Sequence, residues 1–164
     1  MKNSTPLRIE EKIGAALRGT GLTLSAAESC TGGQISHLLT MVSGSSEYYL
    51  GSVTSYAIAV KEKILSVPSA TIDKYNVVSA EVAAAMAEGV RKATGSTFSV
   101  ATTGLAEGSD GRYPEGTVWM AASGPKGTVT RLFQCNKGRK GNIRSFANAA
   151  LHLLYEQIIS DNCR

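Results

Sequence analysis

LTLSAAESCTGGQISHLL, residues 22–39, is the stretch on which the fold depends. Leu22 to Ala27 is compact, apolar and uncharged, as a strand covered on both faces requires. Glu28, Ser29, Cys30, Thr31, Gly32 and Gly33 follow as a polar turn, and helical spacing resumes at Ile35, Leu38 and Leu39. The reading is strand, tight turn, helix, the repeating unit of α/β folds.

Working outward, Leu7, Ile13, Ala16 and Leu17 recur at near-helical spacing and stop at Gly19 and Gly21, which predicts a first helix. Tyr48 to Ala57 is rich in aromatic and β-branched residues and predicts a second strand, with a short helix over Val60 to Leu65. Ser79 is placed to cap a helix that carries Glu81 in its first turn and ends at Gly95. Phe98 to Thr102 reads as a buried strand, followed by a loop from Gly104 to Gly116. Thr117–Ala122 and Thr128–Gln134, joined by Gly124, Pro125, Lys126 and Gly127, predict an antiparallel hairpin. A last helix is expected from about Asn142 to Ile159. Alternation early and a hairpin late predict one α/β domain over 1–164, a mixed β-sheet covered by helices in three α/β/α layers.

The 164 residues are 43% hydrophobic, 18% charged and only 6% aromatic, so the core has to be built from Ala, Val, Ile and Leu. Seventeen basic residues against thirteen acidic ones give a net charge of +4, a modest excess compatible with a phosphorylated ligand. The basic residues thicken at Lys137, Arg139, Lys140 and Arg144, but no basic run is interleaved with aromatics, which argues against nucleic-acid binding. Cys30, Cys135 and Cys163 form no C-x-x-C pair, so neither a disulfide framework nor a zinc site is predicted and a reducing cytoplasm fits. The charged, amphipathic N-terminus lacks the continuous apolar stretch of a signal peptide, and no segment offers a membrane span.

The turn after the first strand sets Ser29 beside backbone N–H groups at a helix start, where Gly32 and Gly33 would favour an oxyanion. The same pattern also serves simply to cap a helix, and Glu28 has the same two readings. A serine nucleophile needs a base, and both histidines, His37 and His152, lie within ordinary helical patterns. That leaves a lysine whose pKa is lowered by burial, with Lys61 the candidate and Tyr56 at the strand exit beside it. Lys61 on a solvated helix and Tyr56 in the core is the competing reading. Cys30 is a rival nucleophile.

AESCTGG (27–33), SGSS (43–46), the strand ending in Tyr56 with Lys61 following, VSAEVAAAMAEGV (78–90), TTGLA (102–106) and GTVWMA (116–121) occur in one order. Over about Leu7 to Ile158 the chain resembles the C-terminal domain of the CinA family, whose active members are nicotinamide-nucleotide amidases. The resemblance implies hydrolysis of the carboxamide of nicotinamide mononucleotide to nicotinic acid mononucleotide and ammonia, without metal or cofactor. It implies Ser29 as nucleophile, Lys61 as general base and Tyr56 as a hydroxyl that positions or relays the proton. Substrate contacts would fall on Glu28, Cys30, Thr31, Gly32, Gly33, Thr103, Gly104 and Arg144, the last near the phosphate. A homo-oligomer is the expected assembly. Two positions depart from the family pattern: Ile58 stands where an Asn is usual, and Glu107 where a Gly is usual. Three readings stay open: an amidase on nicotinamide mononucleotide, an amidohydrolase with a shifted substrate, and a non-catalytic paralogue that binds a nucleotide or a protein.

Overall fold

A computed structural model describes residues 6–162; Cys163 lies outside them. The elements are α1 (Ile9–Leu17), β1 (Leu24–Glu28), α2 (Gln34–Thr40), a 3-10 turn (Ser45–Glu47), β2 (Tyr49–Thr54), α3 (Ile58–Leu65) and α4 (Ser69–Tyr75), then α5 (Ala80–Thr94), β3 (Phe98–Leu105), β4 (Thr117–Gly124), β5 (Gly127–Gln134) and α6 (Gly138–Asn162). The strands form one mixed sheet in the order β2-β1-β3-β4-β5. β2, β1 and β3 run parallel, whereas β4 and β5 are antiparallel to their neighbours.

Side chains alternate across a strand, so each strand contributes to two cores. Leu24, Ala26, Phe98, Val100, Val118, Met120 and Ala122 meet α1, α2 and α6 on one face. On the other, Ala27, Ala101 and Ala121 meet Val82, Ala83, Met86, Ala87 and Val90 of α5. Small residues on that face let α5 come so close that Ser99 donates a 2.6 Å hydrogen bond to the Ala87 carbonyl. The expected three-layer α/β/α sandwich is the observed one. Ser79 caps α5 by accepting from the Val82 N–H, and Gly95 ends the helix in the left-handed conformation that a residue without Cβ adopts at no cost.

Several boundaries differ from expectation, three of them around the sheet edge at β1 and the start of α6. β2 stops at Thr54, freeing Ser55–Ala57 to turn into α3. β3 continues through Gly104 and Leu105 because both stay in register with β4. α6 starts at Gly138, four residues before the expected Asn142. α4 was not predicted; its seven residues are flanked by Pro68 and a left-handed Asn76 and bury only Ile72. No helix among the described residues is long and apolar enough to cross a membrane.

The chain leaves β1 through α2 to β2 on one side, then returns through α3, α4 and α5 to β3 on the other. The strand order therefore reverses at β1. In open α/β sheets, the crevice beyond the carboxyl ends of the strands at such a reversal is where ligands bind.

Candidate active site

Ser29 is the first residue beyond β1. Its N–H still bonds to the Thr102 carbonyl at 3.2 Å, which fixes the backbone to the sheet edge while the side chain faces the crevice. Beside it, the Ser55 N–H bonds to the Glu28 carbonyl at 2.8 Å, and the chain then bends into α3. Lys61, in the first turns of that helix, returns toward β1 and is 1% exposed. Its Nζ lies 2.9 Å from Ser29 Oγ, 2.6 Å from the Ser55 carbonyl oxygen and 3.3 Å from that of Tyr56.

Burial disfavours the ammonium form and lowers the Lys61 pKa from 10.5 to about 8. The three partners decide how the neutral form is oriented. A neutral amine has two N–H donors and one lone pair, and the two carbonyl oxygens can only accept. Both N–H groups therefore go to Ser55 and Tyr56, which leaves the lone pair toward the Ser29 hydroxyl. That is the arrangement of a nucleophile and its base.

The pair opens into a cavity of about 260 Å³. It is lined by Ser29, Cys30 and Lys61, by Thr103 to Ala106 at the end of β3, and by Tyr56, Ile58, Val77 and Val78. The Thr103 hydroxyl donates to the Val77 carbonyl at 2.7 Å, tying β3 to the segment that enters α5. A Cβ at Gly104 would collide with the backbone of Thr117 and Val118, so this wall lies too close to β4 for a side chain. Glu107 and Arg139 close the rim; Arg139 donates to the Glu107 carboxylate at 2.9 Å and to the Tyr56 hydroxyl at 3.4 Å. These two contacts, the Tyr56 hydroxyl first, raise the Arg139 pKa further.

Several sequence-predicted contacts fall elsewhere. Glu28 is fully buried and does not line the cavity. Its Oε1 accepts from the Thr31 hydroxyl and the Ile35 N–H, both at 2.8 Å, and its Oε2 from the Ser36 N–H and hydroxyl at 3.0 and 2.7 Å. The residue at the N-cap of α2 is Gly33, which has no side chain to offer, so a carboxylate from the strand caps the helix instead. The positive end of α2 is consequently spent on Glu28. Gly32 is spent too, its N–H bonding to the Ser29 carbonyl at 3.0 Å, and neither Gly32 nor Gly33 lines the cavity. Thr31 is buried behind the site against Glu28 and Thr102.

Arg144 is absent from the cavity and faces a groove with Asn148 and His152 on the far side of α6. With the helix starting at Gly138, Arg139 sits in the first turn at the rim. Arg144, five residues on, is rotated about 140° away. Cys30 lines the cavity, but burial pushes its thiol up to about 12, which removes it as a nucleophile near neutral pH. Tyr56 is 65% exposed, so its hydroxyl is a rim group, while its carbonyl serves Lys61. No cluster of His, Cys, Asp or Glu among the described residues is arranged to hold a metal.

These bonds give Glu28 a structural role that can be measured. Glu28→Ala is expected to destabilise the protein by about 2–4 kcal/mol, because it leaves the Ile35 and Ser36 N–H groups without their acceptor and takes one partner from each of the two hydroxyls. Urea unfolding followed by far-UV circular dichroism reads this directly; a loss under about 0.5 kcal/mol would contradict the assignment.

The sequence model of the CinA C-terminal domain matches residues 7–158. A CinA-like protein of Salinibacter ruber is 46% identical over 145 residues, which are 87% of this chain and 35% of that protein. A CinA-like protein of Cytophaga hutchinsonii is 40% identical over 92% of this chain and 36% of its own length. The chain thus spans about a third of the curated relatives it matches. Among solved structures, a CinA superfamily protein of Escherichia coli superposes with a TM-score of 0.87 at 28% identity, covering 91% of this chain and 88% of that one. The competence/damage inducible protein CihA of Agrobacterium tumefaciens gives 0.86 at 30% identity, over 98% and 99%. By sequence and by architecture, the chain belongs to the CinA C-terminal domain family.

Proposed function

We propose that this domain hydrolyses the carboxamide of nicotinamide mononucleotide to nicotinic acid mononucleotide and ammonia. The observation that carries the reading is the buried Lys61 Nζ, 2.9 Å from Ser29 Oγ, its two N–H groups engaged by backbone carbonyls. Neutral Lys61 takes the Ser29 proton as Oγ attacks the amide carbon. The backbone N–H of Cys30, next along the chain and lining the cavity beside Ser29, is the donor for the oxyanion. Lys61 then returns the proton to the amide nitrogen, the C–N bond breaks, and ammonia leaves. Water, deprotonated by the same amine, attacks the acyl-serine, yielding the carboxylate and restoring Ser29. Val77, Val78, Leu105 and Ala106 give the cavity apolar walls against which an aromatic ring can lie.

Ammonia release from nicotinamide mononucleotide by the purified protein tests the reading, and a folded protein that releases none would refute it. The pH profile adds a second check. The base acts only when neutral, so kcat/KM is expected to rise about tenfold per pH unit below pH 8 and to level above it, following the Lys61 pKa of about 8. A profile flat from pH 6 to 9 would exclude Lys61 as the base.

A further inference from the structure

Of the residues that line the cavity, three carry ionisable charge beyond the thiol and phenol: Lys61, Glu107 and Arg139. Lys61 is committed to Ser29 and two carbonyls. The charge that an incoming ligand meets at the rim is therefore the Glu107–Arg139 pair, whose side chains are 61% and 44% exposed. Three cations, Lys137, Arg139 and Lys140, crowd the start of α6, where the helix dipole makes positive charge unfavourable. Helix stability does not explain them. Arg139 contacts Glu107 through one carboxylate oxygen only, and its second nitrogen makes the long 3.4 Å contact to Tyr56. An exposed pair with this geometry exchanges readily, whereas a phosphate would engage the planar guanidinium through two parallel bonds and carries about −1.5 to −2 charge.

We propose that Glu107 is the resting counter-ion of Arg139 and has to release it before the anionic end of a substrate can seat, so that Glu107 sets how strongly the site favours phosphorylated over unphosphorylated forms. In the resting site the pair is neutral and Arg139 is held over the rim. A phosphate takes the guanidinium only by breaking its ion pair with the carboxylate, and the lost pairing is subtracted from the affinity. Glu107 is thus a specificity residue that lowers affinity for the nucleotide. A ligand without the phosphate leaves the pair intact.

The inference rests on the amidase reading for the identity of the ligand, but its test does not need turnover. Calorimetric binding of nicotinamide mononucleotide and nicotinamide riboside is measured on Ser29→Ala, alone and combined with Glu107→Gln, with Arg139→Gln, and with both. The mononucleotide-to-riboside affinity ratio is expected to rise roughly 3- to 10-fold with Glu107→Gln and to fall tenfold or more with Arg139→Gln. With Arg139→Gln already present, the gain from Glu107→Gln should drop to less than twofold, since the residues act on one another. An unchanged or lower ratio for Glu107→Gln, an equal gain in both backgrounds, or no mononucleotide binding at all overturns the inference. The amidase reading fails separately, through absent ammonia release by the unsubstituted protein.

Discussion

Ser29→Ala is expected to cut ammonia release from nicotinamide mononucleotide by about 10⁴-fold or more, with the fold intact. The hydroxyl is the only group that forms the acyl bond in this scheme, and its neighbours cannot substitute. Cys30 is next in sequence, yet its thiol is pushed up to about 12 and holds its proton. The backbone bond from Ser29 N–H to Thr102 survives the change, so the sheet edge stays in place. A discontinuous ammonia assay with protein in excess over background resolves four decades. Residual activity above about one hundredth of the unsubstituted rate would remove Ser29 as nucleophile.

Lys61→Met separates activity from stability, and the two are expected to move in opposite directions. Activity should fall by about 10³-fold or more, since the base and the proton carrier are lost together. Stability follows from linkage. The lysine has its ordinary 10.5 in the unfolded chain and about 8 when folded, so between these values the unfolded chain binds the extra proton. The unsubstituted protein should therefore gain about 3 kcal/mol of stability as pH rises from 8 to 10.5, and below pH 8 it bears the whole cost of a buried ammonium. Met has nearly the same shape without the charge and lacks this dependence. At pH 7 it should match or exceed the unsubstituted protein by up to about 2 kcal/mol, after the Ser55 and Tyr56 carbonyls lose a donor. Denaturant unfolding of both proteins at pH 7 and pH 10 reads the difference. A gap that stays constant across that range would mean that Lys61 is not desolvated.

The parts of the site that follow from local rules could be read from the chain. A strand entering Ser29 and a turn with two glycines specify where its hydroxyl emerges, and the discounting of His37 and His152 leads to Lys61. Both histidines are exposed on helices. The Ser79 cap and the Gly95 stop are local too. What escaped depends on tertiary placement. The expected helix start at about Asn142 leaves Arg139 outside α6 and puts Arg144 in its first turn. Gly138 has a positive φ of 67° and opens the helix, and Gly141 lies inside it, where the packing of Phe146, Ala147 and Ala150 outweighs its weak propensity. Glu28 is open in the sequence to both a structural and a substrate role, and only the fold shows that the glycine N-cap five residues on, having no side chain, needs its carboxylate. Val77 and Val78 had no signal as pocket residues until Thr103 tied them to β3.

The cradle around Lys61 has a wider consequence. The two carbonyls that orient the amine, Ser55 and Tyr56, lie within six residues of it on one bend of chain. The reacting pair is thus a self-contained cassette at the exits of β1 and β2, whereas the rim belongs to the β3–β4 connection and the start of α6. Chemistry and selection occupy separable pieces of polypeptide. Glu107 lies on the selecting side, whereas Ile58 opens the helix that carries Lys61, so exchanging the 106–116 connection alone would refit the rim and leave the buried lysine undisturbed.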